Sequence, residues 1–177
     1  MEIAVCRAED IAVLERLMPS YSVDGNHRAR FARQEAGGSS YLIPWLDGRP
    51  VGHAEVRWTG CAAAEVPSDC PEINGLFVWP ESLRSRGIGA ALVRAAEQLA
   101  RERGIDVMGL GVRDGNPRAA ALYARLGYRP TVTYVDRYAH LDAEGVRHEY
   151  AEPCVFLVKK LPSGPLDVKG PDATLNP

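Results

Sequence analysis

The sequence predicts one α/β domain with a mixed central sheet. Its apolar runs and helical patterns follow the order β-α-α-β-β-β-α-β-α-β-β, so three strands succeed one another without a helix between them. A doubly wound dinucleotide-binding fold would alternate strands and helices more strictly. The chain of 177 residues has the length of one ordinary domain, and its apolar fraction of 46% is enough to form a core.

The first half of the chain predicts a strand, two helices and a hairpin. In the first helix three apolar side chains share one face, Ile11, Leu14 and Met18. The hairpin joins two runs of β-forming residues at Asp47-Gly48, a dipeptide typical of tight turns. In order, the segments are the strand 2–8, the helices 9–18 and 24–35, and the hairpin 40–58.

The second half alternates strands and helices and then closes with two strands. The helix over residues 87–103 is the best specified, because Ile88 and Leu92 belong to one apolar stripe. We expect Glu97 to face solvent on this helix and to pair with Arg101, four residues later. The segments are the strand 73–78, the helix 87–103, the strand 106–112, a short helix within 116–128, and the strands 131–141 and 154–161.

Two long loops and a tail complete the predicted organisation. Residues 60–71 and 140–153 have irregular or polar sequences and are expected to lie between strands. From residue 162 onward the chain is rich in Pro, Gly and Asp, which indicates flexibility. We therefore expect a folded domain over residues 1–161 and a flexible C-terminal tail over 162–177.

The composition excludes several classes of protein. A net charge of −2 provides no overall attraction for nucleic acid. The first 20 residues lack the basic region and apolar run of a signal peptide, and no apolar run could cross a bilayer. The four cysteines, at positions 6, 61, 70 and 154, lack the spacing of a zinc site. We expect a cytoplasmic protein with reduced thiols and no metal, nucleic-acid or membrane partner.

A basic turn that contains glycine lies where the best-specified helix begins. The run RSRGIGA, residues 84–90, follows a strand and a loop containing Pro80. The first N–H groups of a helix carry partial positive charge, and glycine allows an anion to approach them. Two arginines add mobile donors, so the run predicts a phosphate or pyrophosphate site.

Two common phosphate motifs do not fit this turn. A P-loop requires a lysine and a hydroxyl residue after its last glycine, and neither follows Gly89. A dinucleotide fingerprint requires a third glycine where Leu92 stands, and it would follow the strand directly. The pattern that remains is [QR]-x-x-G-x-[GA].

A second motif lies downstream of the turn. Residues 111–130, GVRDGNPRAAALYARLGYRP, place Asn116 before a helix that carries Ala120 and Tyr123 and ends at Gly127-Tyr128. The strand 76–78, LFV, followed by a proline-containing turn and the run 84–90, completes the pattern. In order and spacing the two motifs resemble those of the GNAT-type N-acetyltransferases, and the resemblance covers residues 73–130.

The resemblance implies a fold, a donor and an acceptor. The expected fold is a mostly antiparallel sheet of six to seven strands with about four helices, splayed between the fourth strand (73–78) and the fifth (106–112). The expected donor is acetyl-CoA, whose pantetheine arm pairs with the open strand edge, and the expected acceptor is a primary amine. The positions that match the family's coenzyme-binding residues are Phe77, Val78, Arg84, Ser85, Arg86, Gly87, Ile88, Gly89, Ala90 and Asn116.

The resemblance also implies a proton donor for the leaving thiolate. Tyr123 matches the family's general-acid position, although a tyrosine on an apolar helix face could equally be a packing residue. Glu72 is the candidate base, with a solvated loop carboxylate as the alternative interpretation. Asn74 shares its strand face and could orient substrate or water, and His53 is a weaker candidate base.

The acceptor and the assembly stay open. We expect the first two helices and the loops 60–71 and 140–153 to build the acceptor pocket, as the corresponding helices help to do in the family. The arginine-rich helix 24–35 could favour an acidic substrate or simply be a solvated face. A non-catalytic acyl-CoA-binding module and a dinucleotide-dependent oxidoreductase are the competing functions. Both a monomer and a homodimer are compatible with the sequence.

Overall fold

The computed structural model describes residues 1–162, in which one eight-stranded sheet carries four α-helices. The helices are α1 (Ile11–Leu17), α2 (His27–Glu35), α3 (Ile88–Glu102) and α4 (Pro117–Arg125). The strands are β1 (Glu2–Val5), β2 (Ser39–Leu46), β3 (Arg49–Pro50), β4 (Gly52–Arg57), β5 (Glu72–Val78), β6 (Val107–Arg113), β7 (Arg129–Leu141) and β8 (Arg147–Lys160). The predicted α/β class is confirmed. The strand beyond the predicted six or seven is the two-residue β3, which pairs with β2. The predicted tail, apart from Pro162, lies outside the described residues.

The sheet is mixed and mostly antiparallel, as predicted. Its strands lie in the order β1-β2-β4-β5-β6-β8-β7. Only β5 and β6 run parallel, because α3 crosses over between them, whereas the other neighbouring pairs are antiparallel. Tight turns suffice where antiparallel strands are joined directly, as at Asp47 and Gly48, which both have positive φ.

Helices cover both faces of the sheet. On β2, Leu42 belongs to the main core with α3 and α4, while its neighbours Tyr41 and Ile43 pack with α1. This alternation is the period of two expected for a strand buried on both sides. The predicted core residues of the first helix, Ile11 and Leu14, are buried in the α1 cluster. Hereafter the α3 face denotes the side of α3 and α4, and the α2 face denotes the side of α1 and α2.

Strand β5 carries a bulge and separates from β6. His53 faces Phe77 and Glu55 faces Asn74, so β5 contains one residue more than β4 over this stretch. On its other side β5 pairs with β6 only through Glu72 and Ile73. The rest of β5 has no strand partner at that edge among residues 1–162. The predicted splay is therefore present, with a bulge beside it.

One of the two predicted loops is correct and the other is wrong. Residues 58–71 contain no helix or strand, as predicted. Residues 140–153 instead belong mostly to a hairpin, because β7 extends to Leu141 and β8 begins at Arg147. Their exposed polar side chains hid the strand pattern, since a hairpin that projects past the core need not alternate apolar and polar residues.

Helix α3 confirms the predicted helix over residues 87–103 but corrects one of its side chains. Glu97 does not face solvent: it is buried and accepts hydrogen bonds from the Tyr128 hydroxyl at 3.1 Å and from Lys159 Nζ at 2.7 Å. Arg101 lies 3.9 Å from its second oxygen. A buried carboxylate is tolerated here because β8 and residue 128 supply the donors. None of the helices within residues 1–162 combines the length and apolarity needed to cross a membrane.

The main core predicts a large stability loss for Leu92→Ala. Leu92 is fully buried between α3 and the sheet, so truncation removes apolar contacts and leaves a cavity. We expect the free energy of unfolding to fall by about 2–5 kcal/mol, measured by chemical denaturation. Leu17→Ala is the control, because this side chain is exposed; it should cost less than about 1 kcal/mol. Equal losses in the two variants would contradict this account of the core.

Candidate active site

A turn with two left-handed residues precedes α3. Ser85 has φ of 63° and Gly87 has φ of 87°, and Gly87 occupies the N-cap position. No side chain caps the first N–H groups of α3, so they point away from the helix end with partial positive charge. Space in front of them is open, since a β-carbon at Gly87 would meet no atom within 4 Å. The geometry suits an anion.

Three arginines surround this turn in different states. Arg84 was predicted to be a mobile donor, and this is wrong. It forms an ion pair with Glu81 and donates to the carbonyl of Val78 at 3.4 Å. Arg86 is exposed and has no hydrogen bond or ion pair to residues 1–162. Arg118, on α4, donates to Ser85 Oγ at 2.6 Å. The sequence analysis missed Arg118, although it lies inside the second motif.

Asn116 lies beside a cavity at the end of β6. Its side-chain oxygen accepts from the Ala119 N–H at 3.1 Å, which caps α4. Its side-chain nitrogen makes no hydrogen bond within the described part of the chain, so both of its protons are available. The cavity holds about 400 Å³ and is lined by Arg113, Gly115, Asn116, Glu152 and Pro153.

The two candidate proton-transfer residues lie on opposite faces of the sheet. Tyr123 belongs to the core on the α3 face, together with Ile88 at the start of α3. Glu72 and Asn74 lie on the α2 face, since their neighbour Ile73 packs in the core of the α3 face. Beyond Ile73 no strand pairing joins β5 to β6, which leaves an opening in the sheet between the two faces. A reaction that uses both residues would therefore take place across this opening.

Tyr123 is buried next to Tyr128, with the ring centroids 6.3 Å apart. Burial raises the pKa of Tyr123 to about 12. Within residues 1–162 its hydroxyl has no hydrogen-bonding partner. It is therefore a neutral proton donor at ordinary pH, and its proton is not engaged by the protein.

Glu72 is a buried carboxylate with an incomplete set of partners, and not a solvated loop residue. Its Oε1 accepts a long hydrogen bond of 3.4 Å from Asn74 Nδ2. Its Oε2 is buried without a hydrogen-bond partner in the described residues, and Arg57 Nη1 lies 3.9 Å away. Burial raises the pKa of Glu72 above its ordinary value, and the positive charge of Arg57 does not fully offset it. A carboxylate in this state can accept a proton.

His53 is also buried, on β4 opposite Phe77. Its Nδ1 lacks a hydrogen-bond partner among residues 1–162. Burial and the positive charge of Arg30 lower the pKa of His53 well below its usual value. A hydrogen bond to the Gly75 backbone raises this pKa by a smaller amount. The imidazole is therefore neutral, and it packs edge-on to His27 and at a tilt against Tyr41 and Phe77.

The arginine-rich helix α2 directs two arginines inward. Arg30 and Arg33 both bind the fully buried Glu55, at 2.7 Å each, and Arg57 approaches the same carboxylate at 3.4 Å. Burial alone would raise the pKa of Glu55, but its hydrogen bond from Arg33 and the charges of Arg30 and Arg57 hold that pKa below its ordinary value. These arginines are therefore engaged within the protein. Neither of the two predicted alternatives, a solvated face or a site for an acidic substrate, applies to them.

Two residues of β7 join the site on the α2 face, and the sequence analysis missed them. The Tyr134 hydroxyl lies against β6, since a β-carbon at Gly111 would come within 2.0 Å of it. Burial and the negative charge of Glu72 raise the pKa of Tyr134. Burial also raises the pKa of Asp136, despite the charge of Arg57. Their spacing of two residues in a predicted strand placed them on one face but could not show which face.

Arg86→Ala should weaken binding of CoA, the ligand that the family resemblance implies, by about tenfold, because Arg86 is a free charged donor beside the N-terminus of α3. Titration calorimetry at low and high salt measures the loss, which should shrink as salt screens the charge. Arg94→Ala is the matched control, since Arg94 is exposed on the same helix. Equal affinity in wild type and Arg86→Ala would remove Arg86 from the coenzyme site.

Comparison with known proteins identifies the family. Residues 11–128 match the model of the Acetyltransferase (GNAT) family. An uncharacterised N-acetyltransferase of Methanocaldococcus jannaschii is 35% identical over 88 residues, which are 50% of this chain and 38% of that relative. The chain thus matches well under half of the relative's length.

Solved structures share the fold over nearly the whole chain. The ribosomal-protein-S18-alanine N-acetyltransferase of Escherichia coli has a TM-score of 0.65 at 17% identity and covers 94% of this chain and 97% of its own. An acetyltransferase-like protein of Salmonella typhimurium, solved with acetyl-CoA, has a TM-score of 0.64 at 20% identity and covers 98% of both chains. The family match, the shared fold and the two motifs lead to one conclusion: the chain belongs to the acetyltransferase (GNAT) family.

Proposed function

We propose that this protein transfers an acetyl group from acetyl-CoA to a primary amine of a small molecule or peptide by direct attack. The observation that carries the proposal is the uncapped N-terminus of α3, which lies next to a strand that has separated from its neighbour. Together these features offer an anion site and an open strand edge, which a coenzyme with a pyrophosphate and an amide-containing arm requires.

Donor binding is assigned to the turn, the open strand edge and α4. The backbone amides of residues 86–90 would hold the pyrophosphate, with Arg86 as an added charge. The β5 residues Phe77 and Val78 would pair with the pantetheine arm, and the free side-chain nitrogen of Asn116 would donate to it. Acetyl-CoA supplies the acetyl group in activated form as a thioester.

Glu72 is assigned to remove a proton from the acceptor on the α2 face. An ammonium group has no lone pair, so it must lose a proton before it can attack. The unpaired Oε2 of Glu72 can accept that proton directly or through a water molecule. Asn74 and Arg57 hold the carboxylate in position, and Tyr134 and Asp136 add polar groups on the same face.

Tyr123 is assigned to the leaving thiol on the α3 face. A phenol with pKa of about 12 is a weaker acid than a thiol with pKa of about 8.5. Complete proton transfer from Tyr123 to the sulfur is therefore unfavourable. The hydroxyl can instead donate a hydrogen bond to sulfur as negative charge develops there, which stabilises the thiolate as the C–S bond breaks, and the released thiolate then takes its proton from water. A backbone N–H of the β5 bulge would stabilise the charge on the carbonyl oxygen.

Incubation with acetyl-CoA and a panel of amines tests the proposal. We expect mass spectrometry to detect an acetylated product of at least one small-molecule or peptide amine. Calorimetry with CoA and with NAD(P) accompanies the panel. Binding heat with CoA and none with NAD(P) would exclude a dinucleotide-dependent oxidoreductase. Tight CoA binding without any acetylated amine would instead identify a non-catalytic acyl-CoA-binding module.

A further inference from the structure

Arg30 connects α2 to the bulge of β5. Its side chain is only 7% exposed, and Nε donates to the carbonyl of Gly25 at 2.8 Å. Nη1 donates to Glu55 at 2.7 Å and to Asn74 Oδ1 at 3.4 Å. The guanidinium is therefore fixed by a carboxylate, a backbone carbonyl and a side chain of β5 itself.

The same guanidinium fills the space of the missing side chain at Gly75. This glycine has φ of 59°, in the left-handed region. A β-carbon there would lie 2.2 Å from Arg30 Nη2 and 2.8 Å from Cζ. The planar group thus packs directly against the Cα of Gly75. This residue lies in the bulged stretch of β5, between Asn74 and Phe77. Both the backbone conformation and the contact require glycine.

Within residues 1–162, β4 is the strand that pairs with β5 on both sides of the bulge, and Leu76 and Val78 pack against the core on the α3 face. Beyond Ile73, β5 has no pairing with β6, so its backbone is constrained from one side only. On the α2 face Arg30 contacts Gly75, and Arg30 is tied in turn to Glu55, which is fully buried.

We infer that Arg30 is a positioning residue for acetyl transfer. This inference rests on the proposed function. The guanidinium, which Glu55 anchors against Gly75, fixes the backbone amides that follow the bulge. Those amides belong to the stretch of β5 that has no partner in β6, where the thioester carbonyl would bind under the proposed function. Arg30 itself touches no substrate and acts through the β5 backbone.

A comparison of Arg30→Met with Arg33→Met tests the inference. Both variants remove one arginine of α2 from the same carboxylate, Glu55, but Arg33 makes no hydrogen bond to β5. In Arg30→Met, hydrogen exchange of the backbone amides of residues 75–77 should accelerate by about tenfold, and kcat should fall by about 10–100-fold. CoA affinity should fall by a smaller factor than kcat, since the turn before α3 is untouched although Phe77 lies in the loosened stretch.

Arg33→Met should leave both the exchange rates and kcat within about twofold of wild type. Equal exchange in the two variants would overturn the inference. If the wild type acetylates no amine, the proposed function fails, but the exchange comparison still decides whether Arg30 holds the bulge.

Gly75→Ala alone tests the contact if the Arg30 variants fold poorly, and a double-mutant cycle measures it if they fold. An added β-carbon collides with the guanidinium, so Gly75→Ala should accelerate exchange at residues 76 and 77 in the wild type. In an Arg30→Gly background the collision is gone, and the same substitution should have an effect smaller by about fivefold or more. Identical effects in both backgrounds would contradict the proposed contact.

Discussion

Tyr123→Phe should lower kcat for acetyl transfer by well over tenfold while leaving CoA affinity unchanged. The substitution removes only the hydroxyl that would donate to the departing thiolate, and general-acid assistance contributes about 10²–10⁴-fold in enzymes. Tyr123 has no hydrogen-bonding partner within residues 1–162, so the loss leaves no protein group unsatisfied. Folding stability should therefore be preserved. Steady-state kinetics with calorimetry of CoA binding separates the two quantities.

The neighbouring Tyr128 provides a matched control. Its hydroxyl donates to the buried Glu97, and its ring lies beside that of Tyr123. Tyr128→Phe should lower the free energy of unfolding, because Glu97 loses a donor, but kcat should stay within about twofold of wild type. If Tyr123→Phe leaves kcat unchanged, or if both variants lose the same activity, Tyr123 has no specific part in the mechanism.

Glu72→Gln should lower kcat/KM by about 10²–10⁴-fold and abolish the acidic limb of the pH profile. In the wild type the carboxylate must be ionised to accept a proton, so activity rises as pH passes through the raised pKa of Glu72. Glutamine keeps the size and the contact with Asn74 but cannot take a proton. The measurement is kcat/KM against pH with one acceptor amine.

The same substitution should make the protein more stable at neutral pH. The folded-state pKa of Glu72 lies above its unfolded value, so Glu72 favours folding at low pH and loses that contribution as pH rises through the folded pKa. Above that pKa the wild type carries a buried, poorly compensated negative charge, which glutamine lacks. The stability gain of Glu72→Gln should therefore grow with pH in denaturation experiments.

His53→Gln distinguishes the two candidate bases. If the acidic limb persists in Glu72→Gln and disappears in His53→Gln, the base is His53. We expect the reverse, because the pKa of His53 is well below its usual value and its ring is enclosed by aromatic neighbours.

Local patterns in the sequence were sufficient for the order of elements but not for their tertiary partners. The stripe of α3 and the turn before it were predicted because they depend on neighbours three or four residues apart. Glu97 was misassigned because its donors, Tyr128 and Lys159, come from elements far along the chain. The hairpin over residues 140–153 was missed because its side chains are mostly exposed and polar.

The candidate site shows the same division. The turn at residues 84–90 and the position of Tyr123 follow from motifs that are contiguous in sequence. The partners of the α2 arginines do not follow from such motifs. Arg30 contacts Glu55 and Gly75 only after β4 and β5 have paired. Gly75 itself carries no signal until the bulge and its positive φ are known.

The central claim is that acetyl groups pass from acetyl-CoA to an amine at the opening between β5 and β6. Its most direct test is to measure free CoA thiol and acetylated amine in the same reaction, at initial rate, with an acceptor from the panel. The account predicts that the two products form in equal amounts, and that Glu72→Gln and Tyr123→Phe slow both together. Thiol release without acetylated amine, or no release with any amine, would contradict it.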